Sequence, residues 1–113
     1  MQKEIEYSEI KLKLGGMLFT WDDEKEESNI HKHGIEFEAA AAVFFDVDAV
    51  IRFNSIDDET GEERFDVTGM AWPGMLFVVY VERVTSNDDD IIRIISARRA
   101  TKGERKNYDN GLK

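Results

Sequence analysis

The sequence predicts an α+β fold, a mainly antiparallel sheet carrying two N-terminal helices and one C-terminal helix. Three observations support it. In the second half four β-type segments follow one another: Ala49 to Ile56, Arg64 to Ala71, Met75 to Arg83, and Ile91 to Ala97. Helix signals precede them between Asp22 and Phe45, and a capping-box pattern follows them at Thr101 and Glu104. Consecutive strands joined by short links pair as an antiparallel meander.

Residues 1–16 read as an N-terminal extension to a single domain of residues 17–113. Ile10, Leu12 and Leu14 alternate as a short strand would, and Gly15-Gly16 reads as a flexible joint, so the extension is either an added edge strand or a disordered tail. Met17 to Trp21 is apolar and aromatic enough for a strand. Asp22 then stands as a helix N-cap with Asp23 and Glu24 favourable in the first turn, and Gly34 stops a helix over 23–33. Ile30 is the only strongly apolar side chain in that helix. A second helix over 37–45 places Phe37, Ala40, Ala41 and Phe44 on one face, as a core helix does.

The polar run from Asp57 to Glu63 links the first two meander strands, and Trp72-Pro73-Gly74 makes a tight hairpin between the next two. Met75 to Val81 is all apolar, which predicts a central strand covered on both faces. The last helix opens at Thr101, with Gly103 and Gly111 weakening it.

At 113 residues the chain is long enough to bury a core without metal or disulfide support, and it has no cysteine. Thiol nucleophiles, zinc ribbons and iron–sulfur clusters are thereby excluded. No apolar run approaches the roughly 20 residues of a membrane span, and Met1 to Ile10 lacks the pattern of an export signal. A cytoplasmic protein without membrane contact is expected. The net charge of −9 opposes general nucleic-acid binding. Its distribution weakens that objection: residues 1–89 carry 8 basic and 21 acidic side chains, whereas residues 90–113 carry 7 and 3. Screening acts over about 8 Å in cells, so a basic segment can operate beside an acidic body.

Lys25, Asn29 and Lys32 share one face of the first helix, with His33 about 40° beyond Asn29. Such a stripe either faces solvent or lines a site. Arg93, Arg98, Arg99, Lys102, Arg105 and Lys106 supply the basic patch. Arg98 and Arg99 come where the last strand ends and should point in different directions; either one can clamp phosphate while the other pairs with a carboxylate, or each can form a structural ion pair with the abundant Asp and Glu. Arg64 sits beside Glu62 and Glu63, where a surface ion pair is the simpler reading. The acidic clusters do not follow the calcium-loop spacing, and no phosphate loop, serine elbow or dinucleotide fingerprint is present. No metal or cofactor is expected.

Phe19-Thr20-Trp21-Asp22, Lys25, Asn29, Lys32-His33-Gly34-Ile35 and Phe37-Glu38-Ala39-Ala40 resemble the opening of the BrnT family of bacterial toxins. Glu63-Arg64-Phe65, Gly69 and Arg93 to Ala100, followed by Glu104 and Tyr108, extend the resemblance to about Met17 to Tyr108. It implies a RelE/ParE-like fold and a type II toxin that cleaves RNA. It also implies a BrnA-type antitoxin with a ribbon-helix-helix region, through which alone the complex would bind promoter DNA. The family pattern places its polar positions at Lys25, Asn29, Lys32, His33, Arg64, Arg98 and Arg99. On this reading His33, Lys25, Lys32, Arg64, Arg98 and Arg99 are the catalytic candidates, and Asn29, Lys102 and Arg105 the RNA-binding ones.

The residues suit metal-independent cleavage, in which the ribose 2′-hydroxyl attacks the adjacent phosphate; this expected reaction needs a base, an acid and cations around the transition state. The alternative is a non-catalytic binding module, either a toxin with a protein target such as gyrase or an inactive toxin kept as co-repressor.

Overall fold

The computed structural model describes residues 4–111. Six strands form one sheet in the order β1 (Leu12–Leu14), β2 (Met17–Thr20), β6 (Asp90–Arg99), β5 (Gly74–Val84), β4 (Glu63–Ala71) and β3 (Val50–Ile56). Every neighbouring pair is antiparallel except β2 and β6, which run parallel with Phe19 opposite Ile92. The β3 to β6 meander follows the sequence pattern, and β5 lies inside the sheet as the apolar run from Met75 predicts. Its even-numbered residues Leu76 and Val78 and its odd-numbered Val81 are all fully buried, so neither face of the strand is simply solvated.

Three α-helices complete the chain: α1 (Asp23–His33), α2 (Phe37–Ala41) and α3 (Lys102–Gly111). The expected helix over 37–45 is α-helical only to Ala41 and tightens into a 3-10 turn over Ala42–Phe45. Such a last turn is common where bulky side chains crowd the end. On one sheet face, here called the helix face, Phe37, Ala40, Ala41 and Val43 pack against Phe19, Val67, Leu76, Val78, Tyr80, Ile94 and Ala97. Gly69 lies beneath Val43, where a Cβ would stand 3.2 Å from the Val43 carbonyl oxygen. The other face is partly roofed by α3, which packs on β4 and β3.

Of the two readings of residues 1–16, the edge strand is the one taken, for the described residues 4–16. β1 pairs with β2, Ile5 is 2% exposed, and its amide donates to the Val84 carbonyl at 2.8 Å. Gly15-Gly16 is a correction: it is a two-residue hairpin turn, not a joint, with φ of 53° and 82°. Two positive φ values in succession are the mirror-image turn that matches strand twist, and glycine adopts them without a steric cost.

α1 begins and ends as expected. Asp22 accepts from the amides of Glu24 and Lys25 at 2.8 and 3.2 Å, and Gly34, at φ 71°, donates to Ile30. These bonds, the Lys25 amide first, hold the Asp22 carboxyl below its ordinary range. The helix's sparse apolar content has a structural counterpart: Ile30 stays 41% exposed, and polar side chains do the anchoring. Glu26 accepts from the Phe37 amide at 2.9 Å, and Asn29 turns inward.

Candidate active site

Asn29 is 6% exposed, and its carboxamide lies against the edge of β6 just beyond the point where β2 stops. Its Nδ2 donates to the carbonyls of Ala97 and Ile35 at 2.8 and 3.0 Å, while its Oδ1 accepts from the Ala97 amide at 3.0 Å. A primary amide has the donor and acceptor of a peptide unit, so Asn29 continues the ladder as a missing strand residue would. It thereby fixes α1 to β6. The last turn of α1, bearing Lys32 and His33, follows directly on this attachment at Ala97.

That end carries Arg98 and Arg99. The expected strand end at Ala97 is corrected, because β5 continues to pair both arginines: Phe77 stands opposite Arg98 and Leu76 opposite Arg99. Being consecutive in a strand they point to opposite faces, as the sequence suggests. Arg98 lies 4.3 Å from the centroid of the Phe77 ring, and its two terminal nitrogens donate to Glu104 at 2.8 and 2.9 Å. The hydrogen bond from Arg98 holds the Glu104 carboxyl below its ordinary range, against the upward push of burial. Arg98 is correspondingly raised, its hydrogen bond to Glu104 outweighing desolvation. Glu104 also closes the capping box, accepting from the Thr101 amide at 2.8 Å while the Thr101 hydroxyl accepts from the Glu104 amide at 3.2 Å. One carboxylate thus sets the start of α3 and the orientation of Arg98.

Arg99 is exposed and makes one side-chain bond, from Nη1 to the Pro73 carbonyl at 2.6 Å. Most of its guanidinium donors face solvent. The bond holds the β4–β5 hairpin, whose Trp72 is 97% exposed. Lys32, His33, Lys102 and Arg105 are exposed, the last two flanking Glu104 in the opening of α3. Of the sequence's candidates, Lys32 and His33 follow Asn29 in the last turn of α1, Arg98 and Arg99 close β6 on opposite faces of the sheet, and Lys102 and Arg105 open α3 just after them.

Two candidates lie elsewhere. Lys25 is two helical turns before His33, about 12 Å along the axis. Arg64 shares the open face with Arg98, four residues back along β4 and two strands across, roughly 16 Å away at ordinary strand spacings. It pairs with Asp57 at 3.0 Å, the simpler of its two readings. Asn29 is brought to the site, but with its amide facing backbone.

Three residues near the cluster were not singled out from the sequence. Phe77 supports Arg98, and Asp66, 7% exposed, accepts from Asn54 at 3.0 Å. Together with Arg52, Thr68 and Glu104 they line a cleft of about 250 Å³ between α3 and the sheet. Trp72 is the third. Strand parity would have placed Phe77 and Arg98 on one face, given the register; only the bulge in β6 hides that register from the sequence.

The structure is a small α+β body whose last strand ends in Arg98 and the exposed Arg99, the latter bonded to the hairpin that carries the exposed Trp72. The family model described as "Ribonuclease toxin, BrnT, of type II toxin-antitoxin system" matches residues 21–104, about three quarters of the chain. The chain belongs to the BrnT family: it is a ribonuclease toxin of a type II toxin–antitoxin system, and a protein antitoxin is its partner. No curated protein matches the sequence. No helix among the described residues is long and apolar enough to cross a membrane.

Proposed function

We propose that RNA is cut at the end of β6, between the last turn of α1, Arg99 and the opening of α3. The observation that carries this is the Asn29–Ala97 bond pair, which fixes the helix bearing exposed His33 to the strand bearing exposed Arg99. In the reaction the 2′-hydroxyl oxygen attacks the adjacent phosphorus and the bond to the 5′-oxygen breaks. The products are a 2′,3′-cyclic phosphate and a 5′-hydroxyl. One proton leaves the attacking oxygen and one joins the departing one, and an imidazole carries either near neutral pH. Arg99 binds the phosphate oxygens, with Lys32, Lys102 and Arg105 adding charge. Arg98, already held by Glu104, positions the turn. Trp72 stacks a base, as aromatic platforms do for single strands, and Arg64 and Lys25 contact RNA farther along.

The proton carrier and cations supply what this route needs, so cleavage is metal-independent on this reading. We infer further that the fold is RelE/ParE-like, and that the protein acts in the cytoplasm. Its antitoxin is then BrnA-type, with a ribbon-helix-helix region that alone brings promoter DNA to the complex.

The test is cleavage of messenger RNA in EDTA by the wild type and by His33→Ala. A loss of roughly 10²–10⁴-fold with RNA binding retained is expected. A folded His33→Ala that cuts as fast as wild type would remove His33 from the mechanism. Growth arrest without RNA cleavage would favour a protein target.

A further inference from the structure

We propose that the helix-face strip of β3, formed by Ile51, Phe53 and Ile56, is the seat of an amphipathic antitoxin helix with an apolar stripe and basic ends. The proposal rests on the reading that a protein antitoxin neutralises this chain. It adds where that partner binds and what its docking segment is made of.

The strip is exposed: Ile51 59%, Phe53 56% and Ile56 55%. All three stand on the helix face. Ile51 is opposite Val67 and Phe53 opposite Phe65, both of which face the core, and Ile56 is opposite Glu63. Residues 53 and 56 would fall on opposite faces of a regular strand. The bulge between Phe53 and Ser55 absorbs one residue and brings Ile56 back into line. An insertion that keeps three large apolar side chains together on an exposed face works against solubility, which suggests that a partner covers the face.

The native helical layer stops short of the strip. α1 and α2 pack on β6 and the 3-10 turn packs on β4. The strip is also the open end of a series of aromatic rings, Phe53–Phe65–Tyr80–Phe44–Phe19, with centroid separations between 4.9 and 6.3 Å, that runs through the core. A helix laid on β3 would therefore extend both the layer and the core. Ile51 to Ile56 spans about 16 Å, the length of roughly three helical turns.

Charge selects the occupant. Residues 46–63 hold seven acidic side chains and one basic, Arg52, which faces away from the strip. The acids sit at both ends, Asp46 and Asp48 before the strand and Asp57 to Glu63 after it. Lysines or arginines at both ends of the docking helix would meet them, speeding encounter. A second copy of this chain is a poor occupant. Antiparallel pairing of two β3 edges would set the Asp57–Glu63 end of one against the Asp46–Asp48 end of the other. Strand addition is also hindered, since the bulge breaks the outer bonding row.

The experiment titrates the full chain with the small protein encoded beside its gene, comparing wild type with Ile51→Lys/Phe53→Lys and with Ile51→Ser. The lysine pair should weaken binding at least about 30-fold, as expected for a buried apolar anchor, with RNA cleavage and melting temperature near wild type. Ile51→Ser, milder should the lysine pair misfold, should weaken it several-fold. Asp58→Lys/Glu59→Lys should slow association and flatten its salt dependence. A complex whose affinity none of these variants changes would overturn the proposal and leave the antitoxin reading standing. Absence of any complex with wild type would overturn both. If the chain alone forms a dimer that the lysine pair dissolves, a second copy is the occupant and the proposal fails.

Discussion

Replacing Asn29 by Ala separates the two roles open to that residue. In the structure its amide satisfies the carbonyls of Ala97 and Ile35 and the amide of Ala97, all at 2.8–3.0 Å. Alanine leaves three backbone groups without partners at a site where the side chain is 6% exposed. An orphaned buried polar group costs about 1–3 kcal/mol. The β6 edge is close enough to the surface for water to relieve part of this, so the low end applies to each, giving about 3 kcal/mol. For a domain of this size each kcal/mol lowers the melting temperature by about 4 °C, so Asn29→Ala should melt roughly 12 °C below wild type. Asn29→Asp should be at least as damaging at pH 7, because a carboxylate donates nothing and faces two carbonyls. Its deficit should shrink in acid, where the protonated group donates to one of them. Thermal melts followed by circular dichroism decide the matter. A fall of less than about 3 °C for Asn29→Ala would refute the strand-mimic account. If cleavage is lost at the same time, Asn29 is an RNA contact, as the family pattern suggests.

Deleting residues 1–16 should lower the melting temperature by several degrees, because the burial of Ile5 alone is worth about 1.5–3 kcal/mol; an unchanged melt would show the segment to be dispensable. Arg98→Ala should destabilise the protein, since it frees Glu104, whereas Arg99→Ala should spare the melt and slow cleavage; identical behaviour of the two would contradict the division of labour. The Glu104 carboxyl is depressed in the folded state, so the stability it adds is present above its unfolded value of 4.5 and fades as pH falls through the lower folded value. The gap in melting temperature between wild type and Glu104→Gln should accordingly narrow as pH falls below 4.5, and a gap independent of pH would argue against the pair.

Much of the meander was legible because its strands obey local rules. Apolar runs, the Asp57–Glu63 loop and the Trp72-Pro73 turn each announce themselves within ten residues. Caps were equally readable at Asp22, Gly34 and Thr101, since a cap is a contact between near neighbours. The parallel pairing of β2 with β6 was not, because Phe19 and Ile92 are brought together by everything folded between them. The same distance in sequence hid the inward turn of Asn29, whose partner is 68 residues away. A polar stripe on a helix looks alike whether it meets solvent, RNA or backbone. Gly15-Gly16 was misread for a subtler reason: glycine pairs signal positive φ, and that freedom serves a rigid turn as readily as a loose joint.

The strand that locks the toxin together is also the last one made. β2 and α1 lie in the first third of the chain, yet the strand each bonds to starts at Asp90. At about 5–20 residues per second, a ribosome needs several seconds to supply it. Throughout that interval the helix carrying His33 has no edge to dock on, and Arg98 and Arg99 do not yet exist. A premature stop anywhere before β6 therefore leaves β2 and α1 without the strand they bond to. For a ribonuclease toxin, the fold is thus complete only once β6 has left the ribosome.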